Sequence, residues 1–100
     1  MIESARAKEI IERFRDVHLA VLGDLMLDRY VYGVVNRISP EAPVPVVHVR
    51  SEKMQPGGSA NVALNVRSLG GRASVIGLVG DDAAGRDLAR LLSVAGIRLE

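Results

Sequence analysis

The segment Pro56–Asn61 most constrains how this chain can fold, because two consecutive glycines lead directly into a helical pattern. Glycines let a ligand approach the main chain closely, and the free N–H groups of a helix start face it with a favourable dipole. Asn61 adds a side-chain donor and acceptor in the first turn. The pattern indicates either a polar ligand site built from backbone or a tight strand-to-helix turn without a ligand, and a Gly-Gly pair alone favours the turn.

Composition limits the classes of function that this chain can perform. Thirteen basic and 12 acidic residues in 100 give a net charge of +1, and the chain has one domain at most. Basic residues form no block and aromatic residues are few, so we expect no nucleic-acid partner. Because there is no apolar run long enough for a membrane span or signal peptide, we expect a soluble, cytoplasmic protein without a membrane partner. With no cysteine, and with His18 and His48 far apart, no metal site is expected, and each histidine is interpreted as a solvated or hydrogen-bonded structural residue.

Hydrophobic periodicity predicts an alternation of helices and strands in the first half of the chain. Residues 4–15 have the pattern of an amphipathic helix, and His18–Leu22 that of a strand buried on both faces of a sheet. Residues 28–50 predict two half-exposed strands around a proline-rich connection. Pro45 within the second strand indicates a sheet edge, since proline cannot donate to a ladder on both sides.

After the double glycine the period becomes helical. Val62, Val66 and Leu69 fall on one face of this helix, with Gly70-Gly71 as its end. A second buried strand is predicted over residues 73–79.

The last quarter of the chain continues the same alternation. A third helix is predicted after Gly80-Asp81-Asp82 and ends at Gly96, and a strand begins at Ile97. Such alternation predicts an α/β fold with a parallel sheet. A sheet of about three core strands keeps an open edge and a thinly covered face, so we expect a fragment or a chain that needs a partner.

Polar segments follow the predicted strands at the sheet edge where ligands of α/β proteins bind. The segments are Gly23-Asp24 with Asp28, the helix start Gly57-Gly58-Asn61, and Gly80-Asp81-Asp82. An ionised aspartate accepts several hydroxyl hydrogen bonds but repels a nucleotide phosphate, and neither a P-loop nor a dinucleotide fingerprint is present. The residues therefore favour a polyol such as a sugar. Asp81 or Asp82 as a catalytic base is an alternative to helix capping, which their position favours.

Three stretches of the chain, residues 21–30, 37–47 and 57–63, resemble the ribokinase-like sugar kinases, and the resemblance covers residues 17–100. The run Arg-Ile-Ser-Pro-Glu-Ala-Pro-Val-Pro-Val within the second stretch is similar to the branch that acts on heptose 7-phosphate. The resemblance implies an α/β ribokinase-like fold with a small two-stranded β lid. Ser59 departs from the Gly, Ala or Pro that the family prefers there, and a serine still fits a tight turn and can cap the helix.

The resemblance implies transfer of the ATP γ-phosphate to the anomeric hydroxyl of D-glycero-D-manno-heptose 7-phosphate, on the route to ADP-heptose and lipopolysaccharide core. ATP and Mg²⁺ are implied with it. The positions implied to hold the sugar are Asp28, Gly57, Gly58 and Asn61. Arg29 and Arg37 are candidates for the sugar phosphate, because guanidinium pairs with phosphate bidentately; a solvated or lid-stabilising role is an equal alternative for each.

Residues 28–50 resemble the lid of the family, which covers the sugar, excludes water and often makes the contact of a homodimer. In the family the aspartate base and most of the ATP site lie in a C-terminal part that this chain does not contain. We therefore expect the chain to be the N-terminal part of one kinase domain and to be inactive alone. A kinase for another sugar or a nucleoside, and a short non-catalytic binding or dimerisation module, are the alternatives.

Overall fold

The computed structural model describes residues 1–100 and shows helices and strands that alternate along the chain. A 3₁₀ turn at Arg13–Asp16 continues the first helix. The elements are α1 (Ser4–Glu12), β1 (His18–Leu22), β2 (Leu25–Ile38), β3 (Pro45–Gly58), α2 (Ser59–Ser68), β4 (Arg72–Ile76), α3 (Ala83–Val94) and β5 (Arg98–Leu99). The predicted order of elements is confirmed.

Two separate sheets organise the chain. Strands β1, β4 and β5 form a parallel sheet in the order β1-β4-β5, whereas β2 and β3 form a two-stranded antiparallel sheet. This confirms the predicted α/β class with an additional β hairpin. Pro45 is the first residue of β3, and with only two strands each has an unpaired edge where a missing N–H costs no ladder bond.

The hydrophobic core lies between β4 and the two helices α2 and α3. Its central side chains, Val75 and Leu92, are fully buried. The remaining core residues are Ala60, Ala63, Ala73, Leu88 and Ile97. Leu88 and Leu92 place one face of α3 in this core.

The face of α2 with the large aliphatic residues is not the face that is buried. Val62 is 50% exposed and Leu69 is 64% exposed, whereas Ala60 and Ala63 are completely buried. Small side chains let the helix approach β4 closely, so the alanines make the contact and the larger aliphatic side chains turn outward. Only Val66 of the predicted set packs against the core.

The prediction that β1 is buried on both faces is also wrong. Four of its five residues are exposed, because β1 is an edge strand that pairs only with β4. One face contributes Val21 to the core, while the opposite face leaves Leu22 78% exposed. On that face the imidazole Nε2 of His18 lies 2.7 Å from the Ser74 hydroxyl, which confirms a structural hydrogen bond for this histidine. Strand β4 is buried at its centre as predicted and ends earlier, at Ile76.

The chain exposes more surface than a globular protein of its mass. Its accessible area is 7576 Å², against about 5,500 Å² expected for this mass. Its radius of gyration is 19.0 Å and its longest dimension 62 Å, whereas a compact chain of this length has a radius near 13 Å. The excess comes from the β2–β3 hairpin, in which every residue over 28–38 is exposed, and from the open face of β1. The exposed hairpin agrees with the half-exposed strands predicted over residues 28–50, whereas the exposure of β1 was not predicted.

Glycine and aspartate fix the ends of the helices as predicted. Gly70 and Gly96 have positive φ angles of 95° and 74° directly after α2 and α3. The Asp82 carboxylate accepts a 2.8 Å hydrogen bond from the Gly85 N–H and so caps α3. No helix of the chain is long and apolar enough to cross a membrane.

Arg67 connects the ends of α2 and α3. Its guanidinium donates to the Ala95 carbonyl at 3.2 Å and to the Gly71 carbonyl at 3.0 Å. We expect Arg67→Ala to lower the free energy of unfolding by about 1–2 kcal/mol, because two charge-assisted hydrogen bonds are lost at a partly exposed position. Urea denaturation followed by circular dichroism measures this. Arg72→Ala, at an exposed arginine outside every ion pair, is the matched control, and equal losses in the two variants would contradict the role assigned to Arg67.

Candidate functional site

The base of the β2–β3 hairpin brings Asp28 against Gly57. In the antiparallel register Asp28 pairs with Gln55, and Gly57 is its diagonal neighbour opposite Met26. A Cβ atom on Gly57 would collide with the Asp28 carboxylate, since it would lie 2.6 Å from the carboxylate carbon. Glycine at this position therefore lets the carboxylate lie directly over the main chain of β3. Asp28 is exposed, and none of the five ion pairs of the chain includes it.

The start of α2 is tied to the turn that follows β1. The Ser59 N–H and the Ser59 hydroxyl both donate to the Asp24 carbonyl at 2.9 Å. Gly58 is the N-cap residue, with φ 59° and ψ −134°, a conformation that favours glycine. The prediction that Ser59 can cap the helix is wrong, because its hydroxyl is used as a donor to Asp24.

Without a side-chain cap, the first turn of α2 keeps N–H groups that have no partner within the helix. Asn61 lies in this turn and is exposed. The structure therefore brings together two of the predicted polar segments, namely the turn after β1 and the double glycine. The arrangement offers a carboxylate acceptor on one side and amide donors on the other, which suits a ligand with several hydroxyl groups.

The third polar segment does not join them. Gly80 and Asp82 line a cleft of about 170 Å³ together with Leu25 and Leu27. Because side chains alternate along a strand, these two leucines lie on the opposite face of β2 from Asp28. The expectation that all three segments converge is wrong, since the apolar face of β2 packs toward the segment before α3. Asp82 is used in capping, which confirms that interpretation for Asp82.

Asp81 does not cap the helix. Its side chain is fully exposed and lies 3.8 Å from the Arg86 guanidinium.

The two arginines proposed for a sugar phosphate are far apart. Arg29 follows Asp28 directly, so its Cβ lies on the other face of β2. Arg37 is nine residues from Asp28, which corresponds to roughly 30 Å along a strand. It lines a cleft of about 440 Å³ at the outer end of the hairpin with Asn36 and His48. Sequence reasoning missed this position of His48, because it depends on the cross-strand register.

The candidate site is an open surface. None of the four cavities of the chain is lined by Asp28, Gly57 or Asn61. The residues also gather no group of three or more His, Asp or Glu side chains that fits a metal ion. Gly57 is buried, whereas Asp28, Gly58 and Asn61 are exposed. The local chemistry is therefore that of hydrogen-bonded ligand capture by one carboxylate and the polar groups at the start of α2.

Residues 17–100 match the family described as pfkB family carbohydrate kinase, which is 84% of the chain. The chain belongs to the pfkB family. This agrees with the resemblance found in the three sequence stretches.

Relatives of this pfkB chain include the bifunctional protein HldE from several bacteria. The protein from Halorhodospira halophila is 61% identical over 84 residues, which cover 84% of this chain and 18% of that protein. The protein from Vibrio parahaemolyticus is 46% identical over 93 residues, which cover 93% of this chain and 20% of that protein. The chain thus spans about a fifth of the length of these curated relatives.

A solved structure is similar to this pfkB chain as well. A carbohydrate kinase from Agrobacterium tumefaciens superposes with a TM-score of 0.62 and 27% identity, over 83% of this chain and 26% of that kinase. The ribokinase-like fold predicted from the sequence is confirmed.

Proposed function

We propose that this chain is the sugar-binding and lid part of a kinase that transfers the γ-phosphate of ATP to the anomeric hydroxyl of D-glycero-D-manno-heptose 7-phosphate. The product leads toward ADP-heptose for lipopolysaccharide core, in the cytoplasm. The contact of the Asp28 carboxylate with Gly57 beside the start of α2 carries the proposal. Membership of the pfkB family supports the reaction class, and identities of 46% and 61% to HldE proteins support the heptose branch.

In this proposal the residues of the chain bind and orient the sugar. Asp28 accepts hydrogen bonds from sugar hydroxyls, and an ionised carboxylate makes these stronger than a neutral acceptor would. Gly57 leaves room for the Asp28 carboxylate, Gly58 allows the sugar to approach the backbone, and Asn61 with the first-turn N–H groups of α2 donates to the oxygens of the sugar. The exposed β2–β3 hairpin serves as the lid that excludes water and so limits hydrolysis of the phosphoryl donor.

ATP with Mg²⁺ is the proposed phosphoryl donor. The residues of this chain do not fit a Mg²⁺ site, because they gather no suitable cluster of acidic side chains. We therefore derive no step through the metal, and the base and ATP-binding groups are proposed to lie outside these residues. The 100-residue chain alone is expected to transfer no phosphate to the sugar.

A homodimer formed through the hairpin completes the proposal. Strands β2 and β3 expose large apolar side chains that include Val31, Val35, Val47 and Val49. Contiguous exposed apolar surface of this kind is typical of protein interfaces.

Calorimetric titration of sugar phosphates into the chain tests the proposed substrate. We expect D-glycero-D-manno-heptose 7-phosphate to bind about tenfold or more tightly than fructose 6-phosphate or ribose 5-phosphate, since all three carry a phosphate and differ in the hydroxyls presented to Asp28. Equal affinities would indicate a kinase for another sugar. Absence of binding to a chain shown to be folded by circular dichroism would contradict the sugar site itself.

A further inference from the structure

Helix α1 is amphipathic, and none of its residues is buried. Its main contact is with the 3₁₀ turn that follows it, rather than with the sheet or with α2. The apolar residues Ala7, Ile10 and Ile11 lie at helical spacing on one side of α1, and Phe14 of the turn extends the row. Ile11 is 58% exposed. The fold therefore leaves the apolar side of α1 without a partner, and the candidate sugar site does not use it.

The apolar side of α1 continues onto the body of the chain. Phe14 and Val17 line an open depression of about 330 Å³ beside Ile10, and the same two residues line a groove of about 240 Å³ between β1 and α2. Leu19 and Leu69 line this groove and are 47% and 64% exposed. Contiguous exposed surface of this kind marks interaction sites. We call it the apolar patch, which consists of Ile10, Ile11, Phe14, Val17, Leu19 and Leu69.

The apolar patch and the candidate sugar site lie at opposite ends of α2. The site is at the start of α2, at Ser59, whereas Leu69 of the patch directly follows its last residue. The 10 residues of the helix correspond to about 15 Å. A surface that covers the patch therefore leaves the sugar site open to solution.

Basic side chains border the apolar row of α1. At about 100° per residue, Arg6 and Arg13 border one side of the row and Lys8 borders the other. Glu9 and Glu12 lie on the side of α1 away from the row, where they form ion pairs with Arg6 and Lys8. The edges of the row are thus basic, and its acidic residues face away from the patch.

Three arginines near the patch have no ion-pair partner. Arg13 and Arg15 flank Phe14 in the 3₁₀ turn, and Arg72 begins β4 next to the groove. All three arginines are exposed, and none takes part in the five ion pairs of the chain. Asp16 is the one acidic residue of the turn. The patch therefore combines apolar side chains with uncompensated positive charge.

We propose that α1 and the apolar patch bind to the surface of a lipid bilayer that contains anionic phospholipids. The apolar row enters the headgroup region, as in amphipathic helices that lie in the plane of a membrane, and the arginines pair with lipid phosphates. The alkyl parts of the long basic side chains cover the edges of the row while their charged ends reach the headgroups. The proposal goes beyond the proposed function and does not depend on which sugar the kinase uses.

A bilayer fits this patch better than a second copy of the chain does. In a two-fold dimer the same surface meets itself, so the unpaired arginines of both copies would lie close together. An anionic bilayer supplies the opposite charge. The expectation of no membrane partner rests on the lack of a segment that could span a bilayer, and an interfacial helix needs no such segment because it enters by only about 5–10 Å.

Co-sedimentation of the chain with vesicles tests the lipid and its charge. We expect vesicles of phosphatidylcholine with about 30% phosphatidylglycerol to bind the chain about tenfold or more tightly than vesicles of phosphatidylcholine alone. Raising the NaCl concentration from about 50 to about 500 mM should remove most of this difference, since salt screens exposed charges. Equal binding to the two kinds of vesicle, or no binding to either, would overturn the proposal.

A double variant, Arg13→Gln with Arg15→Gln, tests the position of the charge. We expect it to bind anionic vesicles about 10- to 30-fold more weakly, because each arginine near an anionic surface contributes about fivefold. Arg86→Gln with Arg90→Gln is the matched control, since it changes the net charge equally on α3, away from the patch. The control is expected to bind within about twofold of the wild-type chain. Equal losses in the two double variants would mean that net charge alone attracts the chain, contrary to the proposal.

Ile11→Ser tests the apolar row. We expect about tenfold weaker binding to anionic vesicles, because the variant loses most of the apolar area that this side chain would bury in the bilayer. Leu78→Ser is the matched control, since Leu78 is 95% exposed in the segment after β4. It should bind like the wild-type chain. Both side chains are exposed, so both variants should fold, which circular dichroism checks. Normal vesicle binding by Ile11→Ser would contradict the role of the row.

Sedimentation velocity without vesicles distinguishes a bilayer from a second copy of the chain. We expect the wild-type chain and Ile11→Ser to have the same oligomeric state. A dimer that Ile11→Ser dissociates would identify the patch as an interface between copies and would overturn the membrane proposal. Sugar binding should be unchanged in every variant of the patch, so failure of this proposal and failure of the proposed function are separate results.

Discussion

Replacement of Gly58 by alanine is expected to lower the free energy of unfolding by about 2–4 kcal/mol, since strain at a positive φ and a backbone clash act together. Gly58 has a φ of 59°, and a Cβ atom there would lie 2.5 Å from the Asp24 carbonyl oxygen. That same oxygen accepts both hydrogen bonds from Ser59. Any shift that relieves the clash therefore moves the start of α2 away from the turn after β1. A loss of this size is a large fraction of the stability of a small domain.

Gly70→Ala is the control that separates the two causes. Gly70 also has a positive φ, of 95°, but a Cβ atom there would meet nothing within 4 Å. Its loss should be about 1–2 kcal/mol, from backbone strain alone. Chemical denaturation measures the free energy of unfolding of both variants. The difference between their losses gives the energetic cost of the contact between the new Cβ atom and the Asp24 carbonyl oxygen. If the two variants lose the same stability, the close approach at Gly58 has no energetic consequence.

Local sequence signals predict the turns of this chain well. Gly70 and Gly96 end helices because a residue without a side chain adopts positive φ at little cost, and that property is readable one residue at a time. Asp82 likewise caps α3 through an interaction that spans three residues. The sequence therefore predicts where α2 and α3 end and where α3 begins, whereas the bounds of the strands differ from the prediction.

Burial is less predictable because it depends on distant partners. Hydrophobicity places Val62 and Leu69 on the inner face of α2, yet Ala60 and Ala63 are buried since they allow the closest approach to the sheet. The pattern of His18–Leu22 is that of an interior strand, yet β1 is at an edge. Neither the buried face of α2 nor the edge position of β1 can be predicted from the residues of that element, because both depend on which other elements pack against it.

The same division holds for the candidate site. Gly57, Gly58 and Asn61 are identified from their spacing and the family resemblance, but their relation to Asp28 is set by the register of β2 with β3. The bulge at Asn36, which brings Arg37 beside His48, has no sequence signature in this chain. Residues joined by cross-strand pairing are therefore found only from the structure.

Asp28→Asn is expected to weaken binding of D-glycero-D-manno-heptose 7-phosphate by about 10- to 100-fold, because a charged acceptor of sugar hydroxyls becomes a neutral amide of the same shape. Calorimetric titration measures the change, and circular dichroism confirms the fold. Asp81→Asn makes the same substitution at an exposed aspartate near Arg86 and should leave the affinity unchanged.

Gly57→Ala provides a second route to the same result, because a Cβ atom at residue 57 displaces the Asp28 carboxylate without removing its charge. If the position of the carboxylate matters, this variant loses affinity like Asp28→Asn, and the double variant loses little more than either alone, since both remove one interaction. If only the negative charge of Asp28 matters, the Gly57→Ala variant binds heptose 7-phosphate with normal affinity. Asp28 then acts on the sugar through its electrostatic potential, without a fixed position of its carboxylate. If the affinity losses of the two single variants add fully in the double variant, Gly57 and Asp28 contribute to binding separately. That result would contradict the contact between Gly57 and the Asp28 carboxylate on which the candidate site rests.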